Sequence, residues 1–300
     1  MNTFDLQIQS TASDGTHTPS DIVQMAHAHA VHIIALTDHD TLDGVEEAGS
    51  RGKMDHVEVI PGIEISVEEY GLHILGYGVV RDGPVLGALL GESIRSREES
   101  ARQMTENLQR AGFVVSWDEV RIQAQGKVIA RPHLARAVLR RPENKEKLGG
   151  ITTVHDFIRH YLHNDSPLYV RRPCVSAKDA IAALHASGGV AVWSHPALHF
   201  RANPDELEVV LHKLMEWGLE GIEVFNPSHT EDDVEYLEMI SRKYALLRTG
   251  GSDFHEVATH AQDARGLHSA NFIGDYETYG FPVEDIVARL KNAIATHSLV

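Results

Sequence analysis

The sequence predicts an α/β protein, because short apolar strands alternate with amphipathic helices along most of its 300 residues. Two compositional observations support a globular fold of this class. The hydrophobic fraction of 42% and the charged fraction of 23% are close to globular averages, which excludes a disordered or collagen-like chain. No apolar run approaches the ~20 residues that a membrane-spanning helix needs, so we expect no membrane association.

The strands and helices follow from the periodicity of apolar residues. Residues 4–9 alternate apolar and polar side chains, which predicts a first strand, and Pro19 opens a helix after it. Six further strands are predicted, at residues 31–36, 57–67, 72–80, 188–193, 221–225 and 244–250. Residues 271–274 are a weaker candidate for an eighth strand, and residues 283–295 have the period of a helix.

The middle of the chain differs from the rest. Residues 84–175 contain a long, charged amphipathic helix followed by further helical and basic segments, and we predict a helical insertion there. The main domain is then formed by residues 1–83 and 176–300. Ser176, followed by Asp179 three residues later, predicts the start of the helix that returns to this domain.

Charge and cysteine content exclude several classes of protein. The formal net charge of −16 argues against a protein that coats DNA or RNA, although a site with bound cations can still attract a small anion. The one cysteine, Cys174, excludes an internal disulfide framework and a cysteine-based zinc cluster, and it fits a reducing cytoplasm. The first residues lack the basic region of a signal peptide, so we expect a cytoplasmic protein.

Histidine, at 20 residues, is more frequent than Phe, Trp and Tyr together. Several histidines and acids lie in or just beyond predicted strands. They are Asp14, His39, Glu64, His73, His195, Asp253 and His255. Because the carboxyl ends of parallel barrel strands meet at one mouth, we expect these side chains to converge. Imidazole and carboxylate groups together suit Mn, Fe or Zn, and several such ions can activate water and bind phosphoester oxygens.

These segments resemble the PHP (polymerase and histidinol phosphatase) family of metal-dependent phosphoesterases. The matching segments are TASDGTHTP, ALTDHDT, VIPGIEIS, HILGY, ARPHLARAVL, GGVAVWSHP, GIEVFNPSH and TGGSDFH. The resemblance implies a distorted (β/α)7 barrel, three clustered metal sites and a helical insertion that caps the mouth. More narrowly, the chain resembles the stand-alone branch that acts on nucleotide phosphates and short RNA.

The same resemblance implies roles for individual residues. One ion would be bound by Asp14, His39 and His255. A second ion would be bound by Glu64, His73 and His195. Glu64 would bridge to a third ion, which Asp253 helps to bind.

The resemblance also indicates where the substrate binds. Arg131 and His133 match positions that bind the substrate phosphate, although Arg131 could instead be a solvated charge at a helix start. Asn226 and His229 are predicted as further substrate contacts. Metal-activated water would attack phosphorus, and Asp253 is the candidate to orient that water or carry protons.

The first motif departs from the family pattern. Where the family has Asp-x-His-x-His, this chain has Asp5, Gln7 and Gln9. Residues two apart on a strand share a face, so the geometry is kept, but a neutral amide oxygen is a weak ligand that suits harder ions. We therefore expect two to three divalent ions, with the third weak, absent or a harder ion such as Mn or Mg.

Several functions remain open at this point. The main hypothesis is a phosphoesterase that acts on a 3′,5′-bisphosphate nucleotide or short RNA. The alternatives are an impaired paralogue that binds nucleotide or phosphate without turnover, an inactivated or engineered form, and a metal-dependent amidohydrolase. A serine hydrolase and a P-loop nucleotidase are disfavoured, because the chain lacks both G-x-S-x-G and G-x-x-x-x-G-K-[ST].

The remaining basic residues are predicted to lie on solvated surfaces. The histidines with this interpretation are His27, His29, His32, His155, His160, His163, His185 and His212. Arg171 and Arg172, near the end of the insertion, are interpreted in the same way.

Overall fold

Seven strands form one sheet whose spatial order follows the sequence. The computed structural model describes residues 2–80, 83–126, 128–257 and 270–297. The strands are β1 (Phe4–Ile8), β2 (Ile33–Leu36), β3 (Glu58–Ser66), β4 (His73–Tyr77), β5 (Val190–Trp193), β6 (Gly221–Phe225) and β7 (Leu247–Gly250). The seven main predicted strands are confirmed. The eighth, at 271–274, is wrong, because Gly274 has a φ of +86° and the segment forms a turn.

Helices form much of the rest of the described chain. They are α1 (Pro19–Ala28), α2 (Val45–Asp55), α3 (Pro84–Arg110), α4 (Trp117–Ala124), α5 (Arg131–Leu139), α6 (Lys145–Leu148), α7 (Val154–Tyr161), α8 (Ala177–Ala186), α9 (Ala197–Phe200), α10 (Pro204–Glu216), α11 (Glu231–Lys243) and α12 (Ile286–His297). The predicted start of α8 is confirmed, because the Ser176 hydroxyl accepts a hydrogen bond from the Asp179 N–H. In the described part of the chain, no helix is both long and apolar enough to cross a membrane.

The sheet closes into a barrel in which one strand is reversed. The strands β1 to β3 run parallel, as do β5 to β7, but β4 is antiparallel to both of its neighbours. Beyond β7, the Asp253 N–H donates to the Gln7 carbonyl at 2.9 Å and Phe254 bridges to Ile8, which brings the two edges together. All five residues of β1 are buried, so its polar face lines the barrel interior. We call the end where the parallel strands finish the mouth, and the other end the bottom.

Three clusters of buried apolar residues lie in the described part of the chain, one of them between α1 and the strands β1 and β2. The barrel cluster includes Tyr77 and Trp193, whereas a second cluster, around Phe113 and Phe157, is formed by the helices between β4 and β5. Helix α3 contributes to two clusters: Leu86 packs in the barrel cluster, and its later turns pack in the cluster around Phe113 and Phe157. The predicted insertion therefore has its own core and is joined to the barrel by a long helix.

Candidate metal centre

The predicted ligands lie together at the mouth. His39, His195 and His255 follow the ends of β2, β5 and β7. Because β4 is antiparallel, its first residue, His73, lies at the same end. Two positions have left-handed backbone, with φ of +32° at His195 and +51° at Asp253. Such strain costs about 1–3 kcal/mol per residue and clusters at functional sites.

The loop after β1 is held in place by one buried carboxylate. Asp38 Oδ1 accepts hydrogen bonds from the N–H groups of Ser10 at 2.7 Å and Ser13 at 3.1 Å, and both serine hydroxyls donate to the same side chain. Burial raises the pKa of Asp38 to about 6, although these hydrogen bonds oppose the shift. The network fixes the loop that carries Asp14 into the mouth.

One group of ligand atoms belongs to Asp14, His39 and His255. These atoms lie within 4.8 Å of one another, and Asp14 Oδ1 is 3.5 Å from His255 Nε2. Burial opposes the shift, but the charges of Asp14 and Asp253 raise the pKa of His255 to about 9. The carboxylates of Asp14 and Asp253 thus favour a positive charge at this position. A bound metal cation would provide that charge in place of a proton on His255. This is the set that the sequence predicts for one ion.

A second group surrounds the buried carboxylate of Glu64. His39, Glu64 and His73 have ligand atoms within 4.8 Å of one another. Glu64 Oε1 is 2.8 Å from His73 Nδ1 and 3.3 Å from His195 Nε2, so the structure brings together all three residues predicted for the second ion. Burial would raise the pKa of Glu64, but its interactions with the neighbouring imidazoles of His39 and His73 hold it well below its usual value.

The chemistry of the donor set fits divalent cations. Among the predicted ligands and the glutamines of the first motif, four buried polar atoms have no hydrogen-bond partner in the described part of the chain: Gln9 Oε1, Asp14 Oδ1, His39 Nδ1 and His195 Nδ1. An unsatisfied buried polar group costs about 1–3 kcal/mol, and a bound cation would satisfy such lone pairs. Burial lowers the pKa of His39 to about 4, so its imidazole is neutral and able to bind a metal.

The two glutamines of the first motif lie inside this cluster but present N–H groups. Gln9 Nε2 donates to Glu64 Oε2 at 2.7 Å, and Gln7 Nε2 donates to Ser194 Oγ at 2.9 Å. An ion that uses Glu64 Oε2 competes with the Gln9 donor for that oxygen. The charged ligands left for a third ion are Glu64 and Asp253. These contacts agree with a third site that is weak or suited to a harder ion, which stays a prediction.

Comparison with known proteins decides the family. The PHP domain profile matches residues 5–173, which is more than half of the chain. The chain belongs to the PHP family of metal-dependent phosphoesterases.

Two curated relatives and one solved structure are similar to this PHP protein over most of their length. The 5′-3′ exoribonuclease of Haemophilus influenzae is 31% identical over 254 residues, covering 84% of this chain and 89% of that protein. The 3′,5′-nucleoside bisphosphate phosphatase of Chromobacterium violaceum is 31% identical over 266 residues, covering 88% and 90%. A candidate metal-dependent phosphoesterase from Bifidobacterium adolescentis has a TM-score of 0.81 at 26% identity, covering 97% of this chain and 96% of that one.

The two predicted phosphate contacts of the PHP protein have different surroundings. His133 is 1% exposed, and burial lowers its pKa to about 4 while the charge of nearby Asp14 opposes the shift. His133 therefore lies beside the metal ligands. Arg131 instead donates to the Leu162 carbonyl at 3.3 Å, and its guanidinium lies over the Tyr169 ring. The structure thus places Arg131 against other residues of the insertion.

Three arginines that the sequence did not place at the site contact the mouth. Arg97 Nε and Arg172 Nη2 both donate to Asp40 Oδ2, at 2.7 and 3.0 Å. The surface interpretation of Arg172 is wrong, because Asp40 holds its side chain at 12% exposure. Arg136 donates through both Nη atoms to the Asp14 carbonyl at 3.2 Å. The sequence feature that could have indicated these arginines is Asp40, the second acid of the TDHD segment, because a buried carboxylate needs a cationic partner.

The predicted substrate contacts of β6 are buried in the PHP protein. Asn226 Nδ2 donates to Gln7 Oε1 at 3.2 Å and to Glu223 Oε2 at 3.1 Å, and His229 bonds to a backbone carbonyl. The sequence analysis missed Glu223, although an acid inside an apolar strand could have indicated it. Its carboxyl accepts the His195 N–H at 2.9 Å, and burial raises the pKa of Glu223 well above its usual value. Glu223 therefore helps to orient a predicted ligand.

Proposed function

We propose that this PHP protein removes a phosphate from a small nucleotide, such as a 3′,5′-bisphosphate, or from short RNA. The observation that carries the proposal is the pair of ligand groups that share His39 at the mouth. Two adjacent cation positions would make this region locally positive in a chain of formal net charge −16. Such a site favours a small phosphorylated anion over a DNA duplex.

The names of the relatives support this substrate class. One is called a 5′-3′ exoribonuclease and the other a 3′,5′-nucleoside bisphosphate phosphatase, and both are aligned over more than four fifths of this chain. Both names describe the hydrolysis of phosphoesters, in RNA or in a nucleoside bisphosphate.

Each part of the site has a proposed role. Divalent ions, when bound, supply a Lewis acid and activate water, with Mn or Mg the expected type at the glutamine-containing site. His133 and Arg131 are proposed to bind the substrate phosphate, and Asn226 and His229 to contact the rest of the substrate. Burial raises the pKa of Asp253, which suits its carboxyl to hold a proton at the mouth.

The insertion is proposed to cap the substrate pocket. Two of its helices reach the mouth: α3 through Arg97 to Asp40, and α5 through Arg136 to the Asp14 carbonyl. These contacts fix residues 84–175 relative to the metal ligands. The cap would thereby select substrates by size and charge.

A second candidate function is nucleotide or phosphate binding with little turnover. The hydrogen bond from Gln9 to Glu64 favours it, because the amide occupies an oxygen that a third ion would use. Without that ion, charge that develops on the phosphate in the transition state is less stabilised.

One combined experiment separates these functions. Bound metals are counted by elemental analysis, and phosphate release with added Mn²⁺ is measured for adenosine 3′,5′-bisphosphate, AMP and a short 5′-phosphorylated RNA. We expect at least two ions per chain and turnover of the bisphosphate or the RNA. Tight binding of either substrate with no phosphate release would support the second function, whereas the absence of both binding and release would overturn the substrate class.

A further inference from the structure

We call the predicted metal ligands at the mouth the PHP cluster; its members are Asp14, His39, Glu64, His73, His195, Asp253 and His255. Another group of histidine and carboxylate side chains lies at the opposite end of the barrel, the bottom. Its members are His185 in the last turn of α8, Glu220 directly before β6, and His297 at the end of α12. Since β6 runs towards the mouth, the residue before it lies at the opposite end. His185, which the sequence predicts on a solvated surface, is 29% exposed, and its ring also bonds to Glu220.

The donor atoms of this group have the spacing of a metal site. His185 Nε2 lies 3.1 Å from Glu220 Oε2, His297 Nε2 lies 2.7 Å from Glu220 Oε1, and the three donor atoms lie within 4.8 Å of one another. In a tetrahedral zinc site with bonds of about 2.0–2.1 Å, neighbouring donor atoms are about 3.4 Å apart. Small side-chain shifts would therefore place one ion between the three residues.

The surrounding backbone holds two of these side chains in position. The Ala191 N–H donates to Glu220 Oε2 at 3.1 Å, which fixes the carboxylate. Gly218 has a φ of +101°, and a Cβ there would approach His185 Cε1 to 2.8 Å, so a glycine leaves room for the imidazole. The side chains of the group are between a quarter and a third exposed. An ion can thus enter from solvent, and water can complete its coordination.

We propose that His185, Glu220 and His297 form a structural metal site of the Zn²⁺ class. Two imidazoles and one carboxylate are a ligand set that zinc accepts together with water. The ion would take the place of the two hydrogen bonds to the carboxylate, each imidazole binding it through Nε2 with its proton on Nδ1. Because the ligands come from three separate segments, the ion fastens α12 to the bottom of the barrel.

The test compares zinc binding by variants that keep the hydrogen bonds. Metal-free protein is loaded with Zn²⁺ and dialysed, and zinc is counted by elemental analysis for wild type, His185→Gln and His297→Gln. A glutamine amide still donates to Glu220 but is a weak zinc ligand. We expect each variant to lose one zinc per chain and part of the zinc-induced rise in Tm. The control His212→Gln, whose ring packs on Tyr244 in the parent chain, should keep both.

A variant that lacks metal ligands at the mouth tests zinc binding at the bottom site alone. In the triple variant Asp14→Ala/His39→Ala/Glu64→Ala, which removes ligands from both groups at the mouth, one zinc should remain, and adding His297→Gln should remove it. Glu220→Gln provides a third variant if a histidine replacement fails to fold. Zinc counts that do not change on replacing His185 or His297 would overturn the proposal and leave a hydrogen-bonded triad.

Discussion

Replacing Gln7 and Gln9 together by histidine tests whether the amide pair limits metal binding at the mouth. Without metal, the double variant loses the charge-assisted hydrogen bond from Gln9 to Glu64, worth about 1.5–3 kcal/mol, and the bond from Gln7 to Ser194, worth about 0.5–1.5 kcal/mol. A net loss of about 3 kcal/mol lowers the Tm by roughly 6–12 °C in a protein of this size.

Added metal should restore the stability that the double variant loses. With two imidazole nitrogens in place of amide groups, a third ion gains strong ligands beside Glu64 and Asp253. An ion present at a hundredfold excess over its Kd stabilises the folded state by about 2.7 kcal/mol, so saturating Mn²⁺ should restore most of the lost stability. We also expect the metal count to rise by one per chain and phosphate release to become faster.

The assay is differential scanning calorimetry with and without Mn²⁺, combined with elemental analysis and phosphate release. Gln103→His is the matched control, because Gln103 also donates to a carboxylate, that of Glu99, but lies exposed on α3. The control should change neither metal count nor rate. If the double variant also changes neither, the amide pair is not the limiting feature of the site and the reasoning is refuted.

Three further predictions concern the same region. Arg97→Met removes one of the two arginine partners of the fully buried Asp40, leaving Arg172, and should lower the free energy of unfolding in urea by about 1.5–3 kcal/mol; a loss below about 1 kcal/mol would contradict a structural ion pair. Burial lowers the pKa of His229 from 6.5 to about 4, so its stabilising contribution is complete above pH 6.5 and is lost as the pH falls towards 4. His229→Asn should therefore remove about 3 kcal/mol of acid destabilisation from urea titrations across this range, and an unchanged pH profile would argue against a neutral buried imidazole. His39→Ala should lower metal occupancy, measured by elemental analysis, more than His255→Ala, because His39 belongs to both ligand groups; equal losses would show that the groups do not share it.

Local patterns were sufficient to predict most of the fold. Strand β1 and the helix start at Ser176 are determined by residues within a few positions, and both form as the sequence predicts. The direction of β4 could not be predicted, because apolar patterning within a strand does not fix the direction of its partners. Its reversal nevertheless leaves His73 at the mouth, so the expected convergence of ligands holds.

The contacts of the site were harder to predict where they join distant segments. Arg172 and His185 were both interpreted as solvated, yet each meets a carboxylate far away in sequence, Asp40 and Glu220 respectively. These ion pairs depend on tertiary partners, which a single sequence does not show. The ligands of the PHP cluster could be predicted from the sequence because each lies in or next to an apolar strand.

Helix α3 connects the barrel to the helices between β4 and β5. Because β4 ends at the bottom, α3 starts there, and its 27 residues span about 40 Å from Leu86 in the barrel core to the core of the insertion. Arg97 lies midway and meets Asp40. One residue inserted between Leu86 and Arg97 would rotate the guanidinium by about 100° and advance it by about 1.5 Å, out of reach of its carboxylate. Insertions and deletions among homologues are therefore expected beyond Arg110, where they do not rotate Arg97 relative to Leu86.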